Sequence, residues 1–180
     1  GTDEGAVNRI VRGTTFYHCG HETDVGKINA TSYMVHENCT FIGNNKGLVS
    51  YAMWQPSREA HVYNTAFVSN AVGWRVENGG YAEGGWDLFE NVSNRELAGG
   101  ARFETEGPLI DLPAGVSFEP AKYGHPLIGS PLIGGGTDLT GIALVPVVID
   151  NDGLPFSTRR SKRVIGAYRG PALGLMLLVK

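Results

Sequence analysis

The chain is poor in charge. Charged residues fill 18% of its 180 positions, against a typical ~25%, and Lys+Arg 15 against Asp+Glu 18 leave a net charge of −3. The basic excess of a nucleic-acid binder is missing, so no nucleic-acid partner is expected. The signature of disorder is missing too, because 42% of the residues are hydrophobic. Cysteine is scarce: Cys19 and Cys39 are too few for a disulfide scaffold, and one bridge or two free thiols both remain open. No apolar run is long enough to cross a membrane as a helix, so no membrane insertion is expected. The opening G-T-D-E-G-A-V-N lacks the basic and apolar regions of a secretory leader. Helical periodicity is also absent.

What the chain has in excess is glycine. It holds 26 glycines, about twice average usage. Glycine at that density is costly inside helices, which excludes coiled coils and helical bundles. The glycines have no three-residue period, which excludes collagen. A Gly-rich, turn-rich, all-β chain of one domain remains.

Three segments repeat. The first is Met34-Val35-His36-Glu37-Asn38-Cys39-Thr40-Phe41-Ile42-Gly43-Asn44, and the second runs from Ala60 to Asn70. The third runs from Asp87 to Ser93. Asn38, Asn64 and Asn91 are spaced 26 and 27, as are Gly47, Gly73 and Gly100. A degenerate earlier copy, from Val7 to Cys19, places Phe16 about one period before Phe41. On this alignment Phe67 continues the series, and Asn94 interrupts it. Each copy holds two or three short β-type runs separated by Asn or Gly, residues that suit left-handed corners. Stacked copies place like residues above like, with asparagine ladders and an apolar interior.

The pattern N-C-T-F-I-G-N-N-K-G-L-V resembles a coil of the right-handed parallel β-helix proteins, the pectate-lyase-like group. Ser130-Pro131-Leu132-Ile133-Gly134-Gly135-Gly136 resembles the S-P-x-I-x-x-G segment that ends such helices. Asp150-Asn151-Asp152-Gly153-Leu154-Pro155, followed by Ile165-Gly166-Ala167-Tyr168, resembles the D-x-D-G-x-P…I-G-A-Y ending of the same group. The resemblance implies a short, single-stranded, right-handed parallel β-helix of about four to six coils over residues 1–168. Residues 169–180, G-P-A-L-G-L-M-L-L-V-K after Arg169, form an apolar tail, either a cap on the last coil or a subunit contact.

Candidate chemistry is scattered. Tyr17-His18-Cys19-Gly20-His21-Glu22 offers His18 and His21 as metal ligands, but no second ligand group with zinc spacing follows, so no metal or other cofactor is expected. Outward-facing charges include Arg58, Glu59, Arg75, Glu77, Glu83, Asp87, Glu90, Arg95, Arg102 and Glu104. Glu77 and Glu104 fall in matching slots four residues after Gly73 and Gly100. They are expected one coil apart, at ~4.8 Å, as a carboxylate pair for acid–base work. Arg75 and Arg102 match in the same way and are candidate ligand contacts. Trp54 and Trp86, in loops between copies, are candidate platforms for a sugar ring. His36 and His61 come from adjacent copies, one place apart in the alignment. The Gly79–Trp86 loop lacks the Lys-Ser/Thr of a phosphate cradle.

Three functions remain open. The leading one is a structural protein without enzymatic activity, a virion decoration, fibre or spike that assembles with itself or other chains, placed on a virion or extracellular surface. The resemblance implies a second, a lyase or hydrolase of polysaccharide. The third is a glycan-binding adhesin module.

Overall fold

The computed structural model describes residues 8–19, 33–51, 59–115, 125–139, 150, 154 and 163–168. Three parallel sheets arise from thirteen short strands, with no helix among the described residues. The first sheet holds β1 (Asn8–Arg12), β3 (Tyr33–Glu37), β6 (Glu59–Tyr63), β9 (Tyr81–Gly85) and β12 (Arg102–Thr105), in that order. The second holds β2 (Thr15–Tyr17), β4 (Thr40–Ile42), β7 (Ala66–Val68), β10 (Leu88–Asn91) and β13 (Ile110–Pro113). The third holds β5 (Lys46–Tyr51), β8 (Val72–Glu77) and β11 (Ser93–Leu97). Each strand pairs in parallel with its counterpart one coil away, so the chain is a parallel β-solenoid of about four turns.

The coils shorten along the chain. Asn8 pairs with Tyr33, Tyr33 with Glu59, Glu59 with Tyr81 and Tyr81 with Arg102, so the last two steps are shorter than the first two. This corrects the alignment of the third copy. Asn38 and Asn64 do share a corner, both left-handed, at φ 51° and 50°. The next residue in that column is Trp86 at φ 55°, not Asn91. Gly47 and Gly73 do stand in register, but the residue that follows them is Asn94, and Gly100 lies in the turn before β12. The close approach of successive backbones explains the two glycines: a Cβ on Gly47 would stand 2.6 Å from the Gly73 carbonyl oxygen.

The shorter step also completes the aromatic stack. Phe16, Phe41, Phe67 and Phe89 lie ring over ring, with centroids 4.6, 5.0 and 4.8 Å apart and tilts of 7°, 5° and 1°. Offset rings in such a column add about 0.5–1.5 kcal/mol per pair beyond their burial. Leu48 and Trp74 pack beside them, with the Trp74 indole N–H donating to Ser50 Oγ at 2.9 Å. The next place in the Leu48–Trp74 column is Arg95, whose guanidinium lies 4.6 Å over Phe89 and ends the stack.

The second corner carries the asparagine ladder, built from Asn44, Asn70, Asn91 and Asn94. Asn44 Oδ1 accepts from the Cys19 N–H, Asn70 Oδ1 from Asn44, Asn91 Oδ1 from Asn70, and Asn94 Oδ1 from Asn91, at 2.9–3.0 Å. The Asn44, Asn70 and Asn91 amides donate in turn to the carbonyls of Phe16, Phe41 and Phe67, at 3.0 Å each. Buried amides are thereby satisfied along the stack, as burial demands. Before Asn44 and Asn70 stand left-handed Gly43 and Ser69, at φ 66° and 55°. The fourth coil omits that residue: Val68 pairs with Glu90, and Asn91 follows at once.

The C-terminal motifs pack on the side of the rod. Ile133 bridges Val164 in antiparallel fashion. Leu132 and Ile165 cover the outward Ala66, Val68 and Leu88 of the second sheet. Asn38 Nδ2 donates to the Val164 carbonyl at 3.2 Å, and Asn64 exchanges bonds with the Thr137 backbone at 2.9 and 2.8 Å. The corner asparagines therefore hold a lateral strap rather than an internal ladder. The apolar tail 169–180 lies outside the described residues.

Candidate functional site

Alternation along a strand sends neighbouring residues to opposite faces. The one-place offset between the two histidines is therefore decisive. His36 pairs with Val62 and points inward, while His61 pairs with Val35 and points outward. His36 is buried edge-on against Phe16 and Phe41, and neither ring nitrogen has a hydrogen-bond partner among the described residues. Burial lowers its pKa from 6.5 to about 4, so the core holds the neutral ring.

The outward face of the first sheet gathers the polar chemistry. His61 Nδ1 lies 3.1 Å from Glu83 Oε1, and His61 Nε2 lies 3.1 Å from Glu59 Oε2. The Tyr63 hydroxyl donates to Glu83 Oε1. The Tyr81 hydroxyl lies 3.2 Å from Glu83 Oε2 and 3.1 Å from Glu104 Oε2. Register builds the group: His61 pairs with Glu83, and Glu83 with Glu104, while Glu59 pairs with Tyr81. Burial pushes the Glu83 carboxyl up, but bonds from Tyr63 and His61 outweigh it and the net shift is downward. Burial, the Glu104 contact and the neighbouring carboxylate charges push the Tyr81 phenol up. An ionised carboxylate under several donors, beside a second carboxylate, can exchange protons or bind a donor-bearing ligand.

The sequence candidates fare differently. Glu77 and Glu104 are not neighbours: Glu77 ends β8 in the third sheet and Glu104 lies on β12 in the first. The partner of Glu104 is Glu83, because the last coils are shorter than the period read from the asparagines and glycines. Arg75 and Arg102 are separated in the same way. Arg75 pairs with Glu77 at 2.8 Å and Glu96 at 3.3 Å, whereas Arg102 lies in register with Tyr81. Trp86 packs over Gly107 and against Val35, Tyr63 and Leu139, so it walls the site instead of presenting an open ring. Trp54, Arg58 and His21 lie outside the described residues. His18 stands over Gly43 and Cys19 is a free exposed thiol. Cys39 is a buried thiol pushed up to about 12 by burial. Among the described residues no group of three His, Cys, Asp or Glu is arranged to hold a metal.

Three of the expected surface charges are not free surface groups. Asp87 is buried and accepts from the Thr65 and Gly85 N–H groups, at 2.8 and 3.0 Å. Burial drives its carboxyl well above the usual range against those bonds. Glu90, in register with Val68, is buried as well. Arg95 is the aromatic cap already described. Tyr63 and Tyr81 were missed. Their signal was the alternating E-A-H-V-Y and Y-A-E-G, which places every second residue on one face.

Compared with known protein families, with curated proteins and with solved structures, the chain matches none. The parallel β-helix fold therefore stands on its own strand register.

Proposed function

We propose that this chain is a structural β-solenoid that works within a larger protein assembly, joining copies of itself or other chains through its ends. The observation that carries this reading is the end of the rod formed by β12 and β13. Each closes its sheet, and no described strand lies beyond it. Such an edge presents free N–H and C=O groups and is a template for another chain. Arg102, Glu104 and Thr105 on β12, and Asp111 and Pro113 on β13, are exposed. The setting we infer is a virion or extracellular surface, as a decoration, fibre or spike, where a rod stiffened by internal ladders suits a mechanical part.

The edge can be blocked without breaking the coil. The Arg102 and Glu106 N–H groups face β9, bonding Gly80 and Gly84, so the Thr105 N–H faces away from it. Thr105→Pro therefore removes an outward donor only. Sedimentation velocity over a concentration series should show an assembly that Thr105→Pro dissociates while the melting curve stays put. A monomer at every concentration, joining no other chain, would sink the proposal.

The outward cluster favours a second reading, glycan recognition on the first sheet. Glu59, Glu83 and Glu104 make that face rich in carboxylates, which opposes an acidic polysaccharide and favours a neutral or amino glycan. A glycan array with the purified chain, set against Glu83→Gln, tests it.

A further inference from the structure

One strand at the end of the rod carries a pattern that fits itself. The Arg102 and Glu106 N–H groups bond β9, so alternation turns the N–H and C=O groups of Phe103 and Thr105 out of the end. β13 offers less. The Ile110 N–H bonds Asp87, which leaves Asp111 and Pro113 at its outward places, and Pro113 has no N–H to give. The Asp111 carboxylate is already taken by Arg95 and Asn94. The side chains of β12 alternate as well. Phe103, in register with Ala82, turns inward, whereas Arg102 and Glu104 stand exposed on the outer face, in register with Tyr81 and Glu83. Arg102 makes no ion pair among the described residues. Phe103 is half-buried, edge-to-face with Trp74 and under the Arg95 guanidinium, so part of its ring stays uncovered.

Resting on the assembly reading above, we propose that two copies of this chain join end to end through β12, paired antiparallel about a two-fold axis at Phe103. In an antiparallel pair, opposite residues alternate between those that exchange two backbone bonds and those that exchange none. Phe103 and the partner's Phe103 form a bonded pair, since both turn N–H and C=O outward. Thr105 then falls opposite the partner's Ala101. Arg102 falls opposite the partner's Glu104, and Glu104 opposite the partner's Arg102, at the non-bonded places where side chains come closest. Charge selects this register. A slide of two residues one way sets Arg102 against the partner's Arg102, and the other way sets Glu104 against the partner's Glu104. Like charges directly opposite are destabilising. The two Phe103 rings meet on the inner side and cover each other's remaining apolar surface. A two-fold interface uses the same patch on both chains and closes at two.

The test is sedimentation velocity of the whole chain over a concentration series. The samples are the parent, Arg102→Glu, Glu104→Arg, the double variant, and an equal mixture of the two single variants. The parent should form a dimer and nothing larger. Each single variant sets like charges opposite one another and should associate about a hundredfold or more weakly. Its melting curve should not move, because both side chains are exposed. The double variant and the mixture restore opposite charges and should recover the dimer. Recovery on mixing requires position 102 of one chain to face position 104 of the other. A dimer indifferent to the single variants, or not rescued by mixing, overturns the two-fold pairing and leaves the assembly reading standing. An oligomer that keeps growing with concentration does the same, as the mark of a head-to-tail contact. A parent chain that is monomeric at every concentration also overturns the pairing, and if it joins no other chain the assembly reading falls with it.

Discussion

The inside and the outside of this solenoid follow different rules. Inside, Phe16, Phe41, Phe67 and Phe89 repeat without variation, and the asparagine ladder repeats beside them. Outside, one column of the first sheet reads Val35, His61, Glu83, Glu104 and does not settle into a single residue type. Those two columns repeat because stacked identical groups satisfy one another, ring on ring and amide on amide. The exterior has no such requirement and is free to vary. Repetition marks what holds the rod, and its interruption on an outward face marks where chemistry can be specific.

Substitutions on the two sides should therefore separate widely. The largest loss is expected from Phe67→Ala, which removes the centre of the stack and leaves a void between Phe41 and Phe89. About 3–5 kcal/mol should be lost, read from the denaturation midpoint in urea. A smaller loss, of about 3 kcal/mol, is expected from acid acting on His36. Its pKa is near 4 in the folded chain against 6.5 unfolded. The folded chain binds fewer protons between those values, so stability falls as pH drops from about 6.5 towards about 4. Asp87 and Glu37, whose carboxyls are raised, act in the opposite sense. The comparison is thus the difference between the parent chain and His36→Leu at pH 7 and pH 4.5. Equal slopes for the two would place His36 outside the core.

Asn70→Ala follows, at about 2–3 kcal/mol, because it strips partners from the Phe41 carbonyl and from both neighbouring asparagines. Glu83→Gln keeps the shape and most of the bonds on the outer face and should cost about 1 kcal/mol or less in stability. If Glu83→Gln proved as damaging as Asn70→Ala, the contrast between the two sides would collapse.

The repeat was legible because stacking writes itself into spacing. Phe16, Phe41 and Phe67 fell out of the sequence at nearly equal intervals, and the register keeps them together. The next step was misread. Asn91 and Gly100 preserved the longer period by coincidence, while the chain had shortened by dropping a corner residue and trimming its turns. F-V-S-N against F-E-N held the answer: an asparagine three residues after Phe67 and two after Phe89. The outward cluster depended on that register. Glu83 and Glu104 were in view as separate charges, and only the shortened last step sets them side by side. The strap was legible as a motif, but its position was not. No spacing rule says that Asn38 and Asn64 turn their amides outward to hold it.

The shortening coils give the rod a direction. A column of identical cross-sections could extend without limit, each copy adding to the last. Here the number of residues per turn falls from the turn that joins Tyr33 to Glu59, through the one that joins Glu59 to Tyr81, to the one that joins Tyr81 to Arg102. The left-handed residue at one corner disappears on the way. Successive turns are therefore not interchangeable: each coil fits the neighbour it is registered with, and a copy of one coil put in place of the next would lose the pairing.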